Sequence, residues 1–178
     1  MRDPTQRKDA FYPLRTCLKF GTGGPTSNLM SEPETTSEPI HLVCPHCEAL
    51  NRLPASRLEE SPRCGSCHDA LLSDYPLALD EKNFQRHVDR NDLPVVVDFW
   101  APWCGPCLSM APEFERAAQT LKARARLAKL NTEEAQAIAG RYSIRSIPTM
   151  IAFRGGREIA RHSGAIGAAQ IVRWVQQL

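Results

Sequence analysis

The sequence predicts an α/β fold, a central mixed sheet flanked by helices, preceded by a small ribbon-like module. Three observations predict it. The apolar run Val95-Val96-Val97-Asp98-Phe99-Trp100 reads as a strand buried on both faces, as in a sheet covered by helices. That run leads into Cys104-Gly105-Pro106-Cys107 and then into a helix-compatible stretch, Leu108 to Ala125. Two further CxxC pairs stand upstream, in a segment too short to build a sufficient core.

At 178 residues the chain suits one ordinary domain plus something small, and 42% apolar content is enough for a core. A net charge of +2 gives no reason to expect nucleic acid or a membrane surface as partner. Arg141, Arg145, Arg154, Arg157, Arg161 and Arg173 are scattered, as on a solvated surface. No apolar run approaches the roughly 20 residues of a membrane helix. The seven cysteines divide into four (Cys44, Cys47, Cys64, Cys67), two (Cys104, Cys107) and one (Cys17). Paired CxxC units without a secretory signal point to a reducing compartment, and the expected location is the cytoplasm.

Residues 1–39 read as a disordered tail, rich in Gly, Pro, Ser, Thr and Glu, with Cys17 an unpaired bystander and Met30 an alternative start. Residues 40–76 form the expected zinc module. Sixteen residues separate Cys47 from Cys64, so Cys44, Cys47, Cys64 and Cys67 have the C-x2-C…C-x2-C spacing of a four-thiolate tetrahedral zinc site. Two disulfides or free thiols are the other readings of these cysteines. Gly65 is expected to permit one of the tight turns, and His46 and His68 to face solvent. Cys44-Pro45-His46-Cys47 shares its inner dipeptide with strongly oxidising disulfide-forming enzymes, but no apolar strand precedes it and no long helix follows.

Residues 77–178 form the larger domain. Leu77-Ala78-Leu79 is a short strand, and Asp80 an N-cap for a helix over Glu81 to Asp89. After the strand Val95 to Trp100 comes a helix kinked at Pro112. Then follow a strand from Ala125 to Leu130 and a helix from Thr132 to Ala139, capped by Asn131 and Glu134 and ended by Gly140. Met150 to Phe153 and Glu158 to His162 make a hairpin about Gly155-Gly156. Ile171, Trp174, Val175 and Leu178 give the last helix one apolar face.

A helix N-terminus carries partial positive charge and unpaired N–H groups, so a cysteine held there favours the thiolate and attacks disulfides. A bare CxxC also suits half a metal site; the surroundings decide. Asp98 is the anomaly of its strand. A buried carboxyl has a raised pKa and is suited to accept a proton from the inner thiol of Cys107, unless it is a core aspartate tied up in hydrogen bonds.

The string Trp100-Ala101-Pro102-Trp103-Cys104-Gly105-Pro106-Cys107, with Asp98 before it and Ile144-Arg145-Ser146-Ile147-Pro148-Thr149 after it, resembles the thioredoxin family. The four upstream cysteines and Asn51-Arg52 narrow the resemblance to its zinc-containing bacterial class, thioredoxin 2. The resemblance implies that Lys129 pairs with Asp98. It also implies a cis peptide at Ile147-Pro148 against Cys104, and a substrate rim of Trp103, Ile147 and Gly164. Leu108 departs from the family, many members of which carry a cation there, and Ser163 stands where an apolar residue is common.

The expected function is protein-disulfide reduction by thiol–disulfide exchange, with catalytic residues Cys104, Cys107, Asp98, Lys129 and Pro148. Zinc is the expected cofactor, structural or redox-sensitive. The expected partners are disulfide-containing protein substrates and, by resemblance, a thioredoxin reductase as electron donor, with the chain acting as a monomer. The alternative is a scaffold or oxidation sensor, with the larger domain as docking surface and the zinc module as recruiter.

Overall fold

A computed structural model describes residues 38–178. The tail expected over residues 1–39, with Cys17 and Met30, lies up to residue 37 outside the described residues. The chain then runs β1 (Pro39–Val43), β2 (Leu50–Pro54), a 3-10 helix (Ala55–Glu60), β3 (Leu77–Leu79), α1 (Phe84–Arg90), β4 (Val95–Trp100), α2 (Gly105–Leu121), β5 (Arg126–Asn131), α3 (Gln136–Arg141), β6 (Thr149–Arg154), β7 (Arg157–Ser163) and α4 (Ala168–Val175). β1 and β2 form an antiparallel hairpin. The other five strands make one mixed sheet in the order β3-β5-β4-β6-β7, with β4 parallel to β5 and antiparallel to β6.

The central strand β4 shows why the sheet needs helices on both sides. Side chains alternate between faces along a strand. Val95, Val97 and Phe99 pack with Phe84 and Val88 of α1 and Ile138 of α3, whereas Val96 packs with Met110, Phe114 and Leu121 of α2 and Ile171 of α4. The result is three layers, helix–sheet–helix, with two apolar cores. Asp98 has the parity of Val96 and so faces the α2 layer. Its neighbours across the register are Lys129 on β5 and Met150 on β6.

Two helices start later than the sequence predicts. Asp80 caps, but it caps the turn over 81–83: its Oδ1 accepts from the N–H of Lys82 (2.8 Å) and Asn83 (2.9 Å), and α1 begins at Phe84. Asn131 likewise accepts from Glu133 N–H (3.1 Å) and donates to Glu134 Oε1 (2.9 Å), and α3 begins only at Gln136. Gly140 lies inside α3 rather than ending it. The hairpin turns at Gly155 and Gly156, with φ of 55° and 77°, the left-handed pair that a two-residue link requires.

The segment before β3 has a small core: Leu42, Cys44, Leu53, Cys64 and Leu71, with Leu93 from the larger domain packed on it. So few apolar groups cannot offset the chain entropy of the segment. Its remaining order must come from the four sulfurs and from what lies beneath them.

Candidate active site and four-cysteine centre

β4 delivers the chain to α2 through Ala101-Pro102-Trp103. Cys104 is the N-cap of α2: its backbone is extended (φ −82°, ψ 100°), and its sulfur accepts from Cys107 N–H at 3.2 Å. Pro106 sits in the first turn, where a missing N–H leaves no bond unmade. Cys104 and Cys107 are joined by a disulfide, with Cα atoms 5.2 Å apart. Both sulfur-bearing residues are nearly enclosed, 4% and 2% exposed, whereas Trp103 beside them is 70% exposed.

Two other loops meet this one. The Ile147-Pro148 peptide is cis, as the family resemblance implies, and the Ile147 carbonyl oxygen lies 3.7 Å from Cys104 Sγ. Gly164 N–H donates to Pro148 O at 2.9 Å. Gly164 has φ +99°, which side chains rarely adopt, and no atom lies within 4 Å of where its Cβ would stand. That patch of surface is open to an approaching backbone. Trp103 Nε1–H donates to Glu133 Oε1 (3.0 Å), which fixes the exposed indole. Ser163 adds less polarity than its type suggests, because its hydroxyl pairs with Thr149 Oγ1 at 3.0 Å. Leu108, one turn into α2, is exposed and extends the apolar border.

Asp98 is 1% exposed, and its Oδ1 has no hydrogen-bond partner among the described residues. Burial pushes its carboxyl up to about 7, against the pull of the Lys129 charge. Lys129 forms no ion pair with it. The ammonium lies instead 5.3 Å from the centre of the Trp100 ring, at a cleft lined by Trp100, Pro102, Glu115 and Glu134. The lysine acts on Asp98 through its field. A buried carboxyl that titrates near neutrality, in the layer of the helix whose first turn holds Cys107, can hold or release one proton there.

The four upstream sulfurs come together. All lie within 4.8 Å of one another, with Cys44–Cys67 and Cys47–Cys64 each at 3.6 Å. A tetrahedral zinc with bonds of about 2.3 Å sets its sulfurs about 3.8 Å apart, so this donor set fits that ion. None of the four is in a disulfide. The two halves are near copies. In each, the first cysteine receives N–H from four residues on: Glu48 N–H donates to Cys44 O (3.1 Å) and His68 N–H to Cys64 O (3.0 Å). In each, the residue after the second cysteine is left-handed, Glu48 at φ 58° and His68 at φ 64°. Gly65 does open the turn over 65–67, but its φ is not positive, so that turn draws on no glycine-specific conformation; its N–H donates to Asn51 Oδ1 at 2.8 Å. Asn51 also donates to Ala49 O (2.9 Å) and to Cys64 Sγ (3.5 Å), so it ties one half to the other. N–H groups of Cys67 and Ser66 hold the Cys64 thiol down at about 6, whereas burial pushes the Cys44 thiol up and, against the N–H of Asp69, burial and the neighbouring sulfurs push Cys67 up to about 12, so a bound metal would displace protons there. His46 and His68 are exposed and outside the cluster.

This centre is seated on the larger domain at the start of β4 and β5. Asp92 carboxylate accepts from His41 N–H (2.7 Å), Asn91 Oδ1 from Val43 N–H (3.0 Å), and Arg86 Nε–H donates to Glu48 O (2.7 Å). Arg126, the first residue of β5, is 8% exposed and donates to Val43 O (2.6 Å) and Leu71 O (2.7 Å). Burial lowers its pKa to about 10, partly offset by the Cys44 thiolate, so it is a cation at neutral pH. His87 is buried beneath, held neutral at about 4 by burial, then by Arg126 and Arg86. The dithiol lies past the other end of β4. The strand spans five residue steps, about 17 Å, so the two sulfur systems are at opposite ends of the sheet.

Sequence reasoning missed Arg126, Asn91, Glu133 and Thr149. Only Thr149, directly after Pro148, carried a local signal. The buried arginine is invisible locally because its partners lie 83 and 55 residues away.

A redox dithiol capping a helix at the carboxyl end of a mixed sheet defines a thiol–disulfide oxidoreductase, an enzyme of protein disulfides. The family model "Thioredoxin" matches residues 76–177, and the model "Thioredoxin 2, N-terminal", a zinc ribbon, matches residues 43–69. The chain belongs to the thioredoxin family and carries the thioredoxin 2 zinc ribbon. It is similar to thioredoxin C-3 of Corynebacterium nephridii, 40% identical over 136 residues, which span 76% of this chain and 93% of that protein. It is also 42% identical over 100 residues to the chloroplastic M-type thioredoxin of Chlamydomonas reinhardtii, across 56% of this chain and 71% of that one. Among solved structures, a mutant thioredoxin from Halobacterium salinarum superposes with a TM-score of 0.55 at 28% identity, covering 61% of this chain and 95% of that one. No helix among the described residues is long and apolar enough to cross a membrane.

Proposed function

We propose that the chain works as a protein-disulfide reductase in the cytoplasm, as a monomer, re-reduced by an NADPH-dependent thioredoxin reductase. In the reduced protein the Cys104 thiolate attacks a substrate disulfide. One S–S bond breaks, a mixed disulfide forms, and one substrate thiolate leaves. Asp98 takes the proton of Cys107, whose thiolate attacks Cys104 Sγ. The second substrate thiol is released, and two electrons have moved from the dithiol to the substrate. Lys129 assists by stabilising the charged Asp98. Pro148 and the backbone of Ile147 guide an extended substrate segment past Cys104, while Trp103 and Gly164 complete the rim.

In this reading residues 40–76 are the zinc-binding module, whose first strand already includes Pro39, and 77–178 the catalytic domain. Cys44, Cys47, Cys64 and Cys67 hold zinc, which supplies structure to a segment with too small a core. The single observation that carries the reading is the arrangement around Cys104: a helix N-terminus, an enclosed sulfur, and a carbonyl 3.7 Å away on a second loop.

Insulin-disulfide reduction with NADPH and thioredoxin reductase tests it, comparing the native chain with Cys104→Ser. Activity in the first and none in the second is expected. No activity in a folded, zinc-loaded native chain would overturn the reading and favour a binding protein.

A further inference from the structure

Among the partners that the larger domain gives the four-cysteine centre, Arg126 is a buried cation. Arg126 belongs to β5, where its N–H donates to Pro94 O at 2.8 Å and its backbone pairs with Val95. Its position is therefore set by the large sheet. Its guanidinium reaches into the ribbon and donates to two carbonyls, one from each half. Val43 directly precedes the ligand Cys44. Leu71 closes the second half, where its N–H donates to Pro62 O at 2.9 Å and the neighbouring Arg63 and Ala70 form a bridge around Cys64 and Cys67. A rigid, planar fork is thus held across the bases of both ligand loops.

Charge gives the second argument. Four thiolates on one Zn²⁺ carry a net charge of about −2. Cys44 and Cys64 are buried, and a buried anion without a counter-charge is expensive. Arg126 is a buried cation beside Cys44, and it has no carboxylate partner among the described residues. A buried arginine without its anion would be as costly as the anion without its cation.

We propose that Arg126 is the positioning residue of the zinc site, clasping both ligand loops from the sheet and offsetting part of the thiolate charge, so that the catalytic domain sets how tightly the ribbon holds zinc. Partners of this outer kind alter metal affinity by roughly 10–100-fold when removed.

The test measures zinc affinity by chelator competition on the full chain, with the thiolate-to-cobalt absorption of the Co²⁺-loaded protein as a signature of ligand geometry. Asp92→Ala is the control, because it breaks junction bonds to His41 without removing a cation. Arg126→Met is expected to weaken zinc binding by about 10-fold or more and to shift the cobalt bands. Arg126→Lys, which keeps charge but cannot span both carbonyls, is expected to fall between. Zinc held by Arg126→Met as tightly as by the native chain overturns the proposal. So does a loss no greater than that of Asp92→Ala, which would mark Arg126 as one junction contact among several. If Arg126→Met does not fold, Arg126→Lys decides: affinity equal to the native chain overturns the proposal, and a loss of several-fold beyond Asp92→Ala supports it.

Discussion

Replacing Asp98 by alanine should change the stability of the oxidised protein in a manner that depends on pH. Burial lifts the Asp98 carboxyl from 3.8 to about 7. Below pH 4 the carboxyl is protonated in both folded and unfolded chains, and it contributes no electrostatic penalty. Between about 4 and 7 the folded state keeps a proton that the unfolded state has released, so native stability falls as pH rises. Above 7 both are ionised and the full penalty is present, about 4 kcal/mol from 1.36 kcal/mol per pH unit. Asp98→Ala removes that slope. Urea unfolding of the Cys104–Cys107 disulfide form at pH 5 and pH 8 isolates it, because the active-site thiols are then absent and the zinc ligands are common to both proteins. The variant should gain about 3 kcal/mol on the native chain between those two values, the part of the penalty that accrues in that window. A difference that stays constant to within about 1 kcal/mol would refute the assignment of a raised, unpartnered carboxyl in the sheet.

Cys107→Ser should stall the reaction after its first step and accumulate a mixed disulfide with substrate at Cys104, visible by mass spectrometry under non-reducing conditions. Asp98→Asn should slow release of that mixed disulfide at neutral pH by about 10²-fold or more, the usual share of a positioned base, while leaving the first attack by Cys104 much less affected; single-turnover kinetics separates the two steps. Phe84→Ala should cost about 3–5 kcal/mol in urea unfolding, because Phe84 is 1% exposed and meets Phe99, Tyr142 and Phe153 edge-on or tilted. Stripping zinc with a chelator should raise hydrogen exchange at the N–H groups of Cys44 and Cys64 by orders of magnitude and leave those of β4 protected, as expected of a ribbon ordered by its metal beside a sheet ordered by its core.

The parts of this protein that were legible in its sequence are those whose chemistry is local. The helix-capping dithiol and its strand occupy a dozen consecutive residues, and the four ligands announce themselves by spacing. Asp98 stood out because a carboxylate interrupts an otherwise apolar run. What stayed hidden depends on distant chain or on fine backbone geometry. Arg126 looks like any strand arginine until carbonyls of Val43 and Leu71 arrive over it. Asp80 and Asn131 are recognisable as caps, but nothing local distinguishes a capped turn from a capped helix, so α1 and α3 begin later than their caps suggest. Glu48 and His68 adopt the left-handed conformation against their intrinsic preference because convergence on one metal position requires it. Lys129 matched its expected strand neighbour in register yet leans on Trp100, a choice of rotamer that residue type does not reveal.

The strand length that parts the two sulfur systems fixes the reaction order of any exchange between them. A thiolate must touch a disulfide to attack it, and no rotation of side chains brings Cys104 to Cys44 across about 17 Å of sheet. While the ribbon keeps its fold, the dithiol of the same chain cannot meet these sulfurs; only that of a second copy can. Electron flow between these sites is therefore bimolecular, vanishing on dilution and rising with the square of protein concentration, and a single polypeptide behaves towards itself as two separate reagents.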